Sequence, residues 1–160
     1  MTWLAIAAVA AVAVVGATLA AVWLRRRFAV IDVDGPSMEP ALHAGDRVLV
    51  RRVPLGRVRA GDVVVVEDPM GPPPAARSGA AAYAGRGLAA RPWVIKRAVA
   101  LPGDPLPASV GPVVAAPAGS PVPNGRLVLL GDNRDRSADS RVHGYYRGDQ
   151  LLGVVIRPMR

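Results

Sequence analysis

The chain has 160 residues, the length of one domain and crowded for two. It has no cysteine, which excludes a disulfide framework, thiolate metal sites and a cysteine nucleophile, and leaves the redox compartment open. Aromatics at 4% are too few for a base-stacking platform, and 20 Lys+Arg against 12 Asp+Glu give a net charge of +8 that suits an anionic lipid surface better than nucleic acid.

Thr2 to Leu24 carries no charged residue. As a helix this run would extend about 34 Å at ~1.5 Å per residue, enough for a bilayer core of ~30 Å. Trp3 and Trp23 stand at its ends, where interfacial aromatics collect. A cleavable signal peptide has a basic start and an apolar run of only ~7–15 residues. Here no basic residue precedes the longer run, and Arg25, Arg26 and Arg27 follow it. The expectation is a retained single-pass anchor over 2–24. The positive-inside rule, applied to these arginines alone, would put the remainder in the cytoplasm.

From residue 28 to 160 the pattern is that of a separate β domain. Val30–Val33, Arg47–Arg51, Asp62–Glu67, Trp93–Ala100, Arg126–Leu130 and Leu152–Arg157 are short apolar runs bounded by Gly, Pro, Asp or Asn, and each predicts a strand. Two follow Gly-Asp turn signals, at Gly45–Asp46 and Gly61–Asp62. Alternation is incomplete, so some strands are expected to be buried on both faces. No ten-residue helical period follows the anchor, although Arg147–Leu152 has room for a short turn, and the connections are short. The fold class is therefore mainly β and antiparallel, with one N-terminal transmembrane helix. The stretches 69–92 and 105–124, rich in Pro, Ala and Gly, read as loops without a core pattern, and Leu152–Arg157 as a closing strand.

Lys96 is the one lysine among the 20 cations. An amine can be tuned to lose its proton, whereas a guanidinium cannot; drift in an Arg- and Ala-rich sequence accounts for a lone lysine equally well. A serine hydroxyl needs a base to become a nucleophile. The usual base is histidine, but His43 and His143 read as loop or packing residues. Lysine serves if burial brings its pKa from ~10.4 to about 7–8, and Lys96 follows the apolar Trp93-Val94-Ile95. Taken singly, Ser37 is equally a turn or N-cap residue, Ser137 a turn residue, and Asp139 with Arg141 a surface pair. Arginines interleave the acidic stretch 132–139, so no metal is expected there.

Four segments stand in order: Gly35-Pro36-Ser37-Met38-Glu39-Pro40, Gly45-Asp46-Arg47-Val48-Leu49-Val50, Ile95-Lys96-Arg97 with Leu101-Pro102-Gly103-Asp104, and Gly131-Asp132-Asn133-Arg134-Asp135-Arg136-Ser137-Ala138-Asp139-Ser140-Arg141. Together with the apolar N-terminus they resemble the type I signal peptidase family, over roughly residues 2 to 156. The resemblance implies a membrane-bound serine endopeptidase with a Ser/Lys dyad and no cofactor, removing signal peptides from exported preproteins after small-x-small motifs. Ser37 would be the nucleophile and Lys96 the general base. Ser137 would hydrogen-bond the Lys96 amine, and an Asp139–Arg141 ion pair would hold the loop that carries Ser137. The Ser37 N–H would be one oxyanion donor. Some members place a hydroxyl side chain two residues before the nucleophile, where this chain has Gly35, which leaves the second donor open. The substrate would add as an extended strand between the segment before Ser37 and the strand leading to Lys96, with Ile31, Val33, Gly35, Met38, Leu42, Val48, Val94 and Ile95 around shallow pockets.

The partners so implied are preprotein signal peptides, a lipid bilayer and the export machinery, with no nucleic acid. The function also requires the domain on the extracytoplasmic face, against the Arg25–Arg27 flank. A peptidase dedicated to one client, or a non-enzymatic membrane-anchored peptide-binding domain, are the alternatives. A cytoplasmic self-cleaving repressor is disfavoured by the anchor and by the lack of a DNA-reading helix.

Overall fold

A computed structural model describes residues 2–68 and 93–159 of the chain. It opens with helix α1, Thr2–Arg27, which passes directly into strand β1, Phe28–Asp32. The other strands are β2 Arg47–Arg51, β3 Val63–Glu67, β4 Trp93–Ala100, β5 Arg126–Leu130, β6 Tyr146–Arg147 and β7 Leu151–Met159. Two one-turn helices follow β4 and β5, α2 at Gly111–Val114 and α3 at Ser140–His143. The strands form one sheet in the order β1-β2-β7-β3-β4-β5-β6, every pair antiparallel.

The sequence dictates much of this locally. Gly45 and Gly61, with φ of +90° and +95°, make the Gly-Asp turns that launch β2 and β3, a backbone region that side chains beyond glycine rarely adopt. The Asp side chains close the same turns: Asp46 accepts from the His43 N–H at 2.9 Å, and Asp62 accepts from the Arg59 N–H at 2.9 Å. β3 is all valine until Glu67, and Val64, Val65 and Val66 have no exposed surface, so this central strand is buried on both faces as its lack of alternation requires.

The sheet separates two apolar clusters. One face gathers Val33, Met38, Leu42, Val48, Val50, Val65 and Ile95. The other gathers Val58, Val64, Val66, Ala98, Leu127, Leu129 and Tyr146. Fully burying one such side chain contributes about 1.5–3 kcal/mol, so these clusters supply the main driving force.

Several expectations are corrected. The strand expected over Leu152–Arg157 does not close the sheet at an edge; β7 lies inside it, between β2 and β3. Gly153 makes this possible. A Cβ there would lie 2.1 Å from the Arg51 carbonyl oxygen and 2.9 Å from the Arg52 Cα, so only glycine lets the two chains approach. The 105–124 stretch is not a coreless loop. It folds back through Leu106 N–H to Ser120 O and Val122 N–H to Asp104 O, both bonds being 2.8–2.9 Å, and buries Leu106, Val110 and Val122 against Ala100 and Val128. The second Pro-rich stretch, 69–92, lies outside the described residues. Strand β6, two residues long, has no counterpart among the expected strands.

The anchor expected over 2–24 falls within α1. Among the described residues no helix is long and apolar enough to cross a membrane.

Gly153→Ala is expected to destabilise the domain by about 1–3 kcal/mol, because backbone rather than a movable side chain opposes the added methyl. A urea unfolding midpoint equal to that of the parent chain would contradict the close approach of β7 to Arg51.

Candidate active site

Period-2 alternation on β4 places Lys96 between Val94 and Ala98, and the β3 register sets it opposite Val64. Val64 and Ala98 have no exposed surface, Val94 packs into the same cluster, and Lys96 itself is 4% exposed. A lysine planted among such neighbours loses hydration. Burial therefore pulls its pKa below the usual 10.5, and Arg141 pulls the same way, while the charges of Asp139 and Asp68 oppose the shift.

Ser37 comes from the turn after β1. Its neighbour Met38 is 1% exposed and anchors the turn in the first apolar cluster. The Lys96 Nζ donates to Ser37 Oγ at 2.9 Å across 59 residues of sequence. Gly35, two residues earlier, has φ +83°, a conformation that a hydroxyl-bearing side chain would adopt only under strain. The glycine at that position thus follows from the backbone path of the turn.

The 131–141 loop closes over the pair. Asn133 N–H donates to the Ser37 carbonyl at 3.0 Å. A Cβ on Gly131 would lie 2.6 Å from that same carbonyl and 2.1 Å from Ser137 Oγ, so the loop seats against Ser37 only because residue 131 is glycine. The loop is held from within by Asp139, which is fully buried. Its carboxylate accepts from Arg141 Nε at 2.9 Å, Arg141 Nη2 at 2.6 Å, the Arg141 N–H at 3.1 Å and the Gly131 N–H at 2.8 Å. Burial alone would raise the Asp139 pKa, but the Arg141 guanidinium and these N–H donors, with a smaller contribution from the Ser137 hydroxyl, bring it below the ordinary 3.8. The pair is therefore an internal fork-to-fork contact, with Arg141 at 16% side-chain exposure, and not an exposed surface ion pair. Asp139 also caps α3, and Ser140 Oγ accepts from the Leu129 N–H at 2.9 Å, tying the loop to β5.

Ser137 is not hydrogen-bonded to Lys96 among the described residues. Its Oγ is buried without a partner of normal hydrogen-bond geometry, beside Gly131. Of the residues expected around substrate pockets, Ile31, Val33, Met38, Leu42, Val48 and Ile95 all belong to or pack on one cluster. Val94 does not join them, because strand alternation turns it to the opposite cluster. Met38 and Val48, 1% and 0% exposed, lie beneath the surface and leave almost no area to line a pocket. His43 is exposed in the Gly45 turn and His143 ends α3.

One pair goes unremarked in the sequence reading. Arg97 grips Asp132 through Nε–Oδ1 at 2.7 Å and Nη2–Oδ2 at 2.6 Å, while its Nη1 donates to Gly61 O at 2.8 Å. It pins the start of the 131–141 loop to β4 one residue beyond Lys96. The available signal was an Arg beside the lone Lys and an Asp beside the loop glycine; nothing in the spacing says that they meet.

A hydroxyl held by a desolvated amine on an antiparallel sheet has the makings of a serine-type site with an amine in place of imidazole. Comparison with known proteins points the same way. The family model described as signal peptidase, peptidase S26, matches residues 2–116 and 107–159. Mitochondrial inner membrane protease subunit 1 of Mus musculus is 30% identical over 119 residues, which is 72% of this chain and 59% of that protein. The chain thus matches less than two thirds of that relative's length. On the family match, the chain belongs to the signal peptidase S26 family.

Because the depressed Lys96 pKa disfavours a charged folded state, wild-type stability should rise with pH between the folded-state pKa and 10.5. Lys96→Met should be the more stable protein near neutrality, its advantage shrinking as the pH approaches 10.5, as followed by thermal melts across pH. Asp139 runs the other way: it stabilises above its unfolded pKa of about 3.8, and the contribution is lost as pH falls through the lower folded value. Asp139→Asn should cost about 3–5 kcal/mol near neutrality by chemical denaturation, since it breaks a buried pair.

Proposed function

We propose that this chain is a membrane-bound serine endopeptidase that removes N-terminal signal peptides from exported preproteins, with Ser37 as nucleophile and Lys96 as general base. The observation that carries the reading is the 2.9 Å contact between an amine at 4% exposure and the Ser37 hydroxyl. A neutral Lys96 takes the Ser37 proton as Oγ attacks the scissile carbonyl. It then returns that proton to the departing amine, which is the mature N-terminus. The same amine next takes a proton from water, whose oxygen attacks the Ser37 ester, and passes that proton to the departing Ser37 Oγ, which frees the signal-peptide carboxylate and restores the neutral amine. The Ser37 N–H is the first oxyanion donor, and Gly35 supplies no side chain to be the second.

Support for the substrate mode comes from the sheet. Among the described residues the β4–β5 register begins at Arg97, so Val94 to Lys96 pair with β3 and not with β5, and β1 is the edge strand on the far side. An extended peptide could pair with such an edge and direct alternate side chains toward Ile31, Val33, Leu42 and Ile95, in keeping with small residues at the cleavage site. Ser137, beside Gly131 and near Asp139, is proposed to orient the amine once the peptide is bound. The Asp139–Arg141 pair is proposed as a positioning element.

The membrane part of the proposal rests on α1. The uncharged run 2–24 forms most of a 26-residue helix, about 39 Å long at ~1.5 Å per residue. Trp3, Ile6, Val12, Val14, Val15 and Leu19 on it are well exposed. The mouse relative is, by its name, an inner membrane protease subunit. The catalytic domain is proposed to face the extracytoplasmic side, where signal peptides emerge.

Ser37→Ala and Lys96→Met should each lower cleavage of a preprotein with an Ala-x-Ala site by about 10³-fold or more, with circular dichroism unchanged. The wild-type rate should rise with pH along a limb set by the lowered Lys96 pKa, and Arg141→Met should move that limb to higher pH, because Arg141 favours the neutral amine. Full cleavage by either dyad variant would refute the assignment.

A further inference from the structure

We infer that the junction of α1 with the sheet is a binding site for an anionic phospholipid headgroup, built chiefly by Arg51 and Arg52 of the β domain with Arg25, Arg26 and Arg27 of the helix. The inference rests on the membrane part of the reading above and adds a ligand and residues to it. The fold brings the backbone of Arg51 and Arg52 up to the end of the helix that carries the other three. α1 gives way to β1 without an intervening residue, and the β1–β2 register sets Arg51 directly across from Phe28. The Arg52 N–H donates to the Arg27 carbonyl at 2.9 Å, so the second cluster is stitched to the end of the first. Gly153 presses the Arg51–Arg52 backbone against β7 and fixes where these side chains leave the sheet.

The charge there is uncompensated. No acid occurs in 1–31, in 47–61 or in 151–160, the segments that make up the junction. Among the described residues none of the five arginines forms an ion pair with a carboxylate, whereas Arg47, Arg97, Arg141 and Arg147 each do. Among the described residues the Arg52 Nε is buried and has no acceptor, which is unfavourable for a desolvated donor. Part of the charge is explained locally, because cations complement the carboxyl end of a helix and Arg27 stacks 5.3 Å from the Trp23 ring centroid. Neither reason extends to Arg51 and Arg52 on the domain side.

Guanidinium groups match phosphate oxygens in planar, forked geometry. The lipid, as opposed to a free phosphate, is favoured by what surrounds the cations. The apolar helix ends in them, and Val30, 43% exposed, follows on β1. A phosphodiester with acyl chains lying along α1 would satisfy both parts of the surface.

The test uses the full chain in detergent, titrated with phosphatidylglycerol or phosphatidylcholine and read by native mass spectrometry. Wild type should retain phosphatidylglycerol selectively, and Arg51→Gln/Arg52→Gln should weaken that binding about 30-fold, from the usual contribution of one arginine near an anionic surface taken twice. Arg51→Lys/Arg52→Lys should keep most of it. If the double variant fails a thermal-melt check, Arg51→Gln alone, at an exposed position, should still cost about 5-fold. Equal retention of the two lipids, or unchanged binding in the glutamine variants, would overturn the site. Displacement by millimolar inorganic phosphate would reduce it to a free-phosphate site and overturn the lipid. Cleavage of a signal peptide in lipid-free detergent should be the same in wild type and variants. Absence of cleavage in all of them would sink the proposed function while leaving the lipid result standing.

Discussion

The structure depends on keeping one amine dry while giving it a hydroxyl to touch. Lys96 is buried by its own strand neighbours and by Val64 across the ladder, and it reaches Ser37 Oγ at 2.9 Å. Desolvation favours the uncharged amine, yet a bare carboxylate nearby would undo this by pairing with it. Asp139 is such a carboxylate, fully buried in the same region. Its oxygens are occupied by Arg141 and by backbone N–H groups; its charge still pulls the Lys96 pKa upward, while burial outweighs it and Arg141 adds a smaller push in the same downward direction as burial. The ion pair therefore has an electrostatic effect on Lys96 as well as a structural one on the loop.

The loop itself is a clamp with three fastenings. Arg97 holds its start through Asp132, Asn133 and Gly131 seat it on the Ser37 carbonyl, and Asp139 with Ser140 ties its end to β5. Each uses an atom with little freedom: a forked guanidinium, a backbone N–H or a glycine without Cβ. Loops that carry functional side chains gain accuracy when rigid elements hold them in this way. The three fastenings lie on strands or turns already fixed by the two apolar clusters, so the placement of Ser37 relative to Lys96 follows from the packing of the sheet.

Sequence carried some of this and not the rest, for identifiable reasons. Valine and leucine runs opened by Gly-Asp turns announce β2 and β3 because the turn requires glycine at positive φ. Scarcity made Lys96 conspicuous, and its apolar approach explained how it could serve as a base. The order of the strands was not legible, because the insertion of β7 depends on Gly153, whose neighbours are over a hundred residues earlier. The 105–124 segment hides its core in the sequence, because Leu106, Val110 and Val122 are single apolar residues spaced among prolines and alanines, and they come together only where Pro105 meets Pro121. The Ser137–Lys96 hydrogen bond is implied by the resemblance and not by spacing, and among the described residues Ser137 Oγ is buried beside Gly131 without making it.

The seam between Arg27 and Phe28 has no slack, and the Arg52 N–H fastens it from the neighbouring strand. A helix joined to a sheet by a flexible tether would let the two swivel independently. Here two backbone links join them, the Arg27–Phe28 peptide and the Arg52 N–H to the Arg27 carbonyl, so the last residue of the helix is held by two adjacent strands and does not hang on the connecting peptide alone.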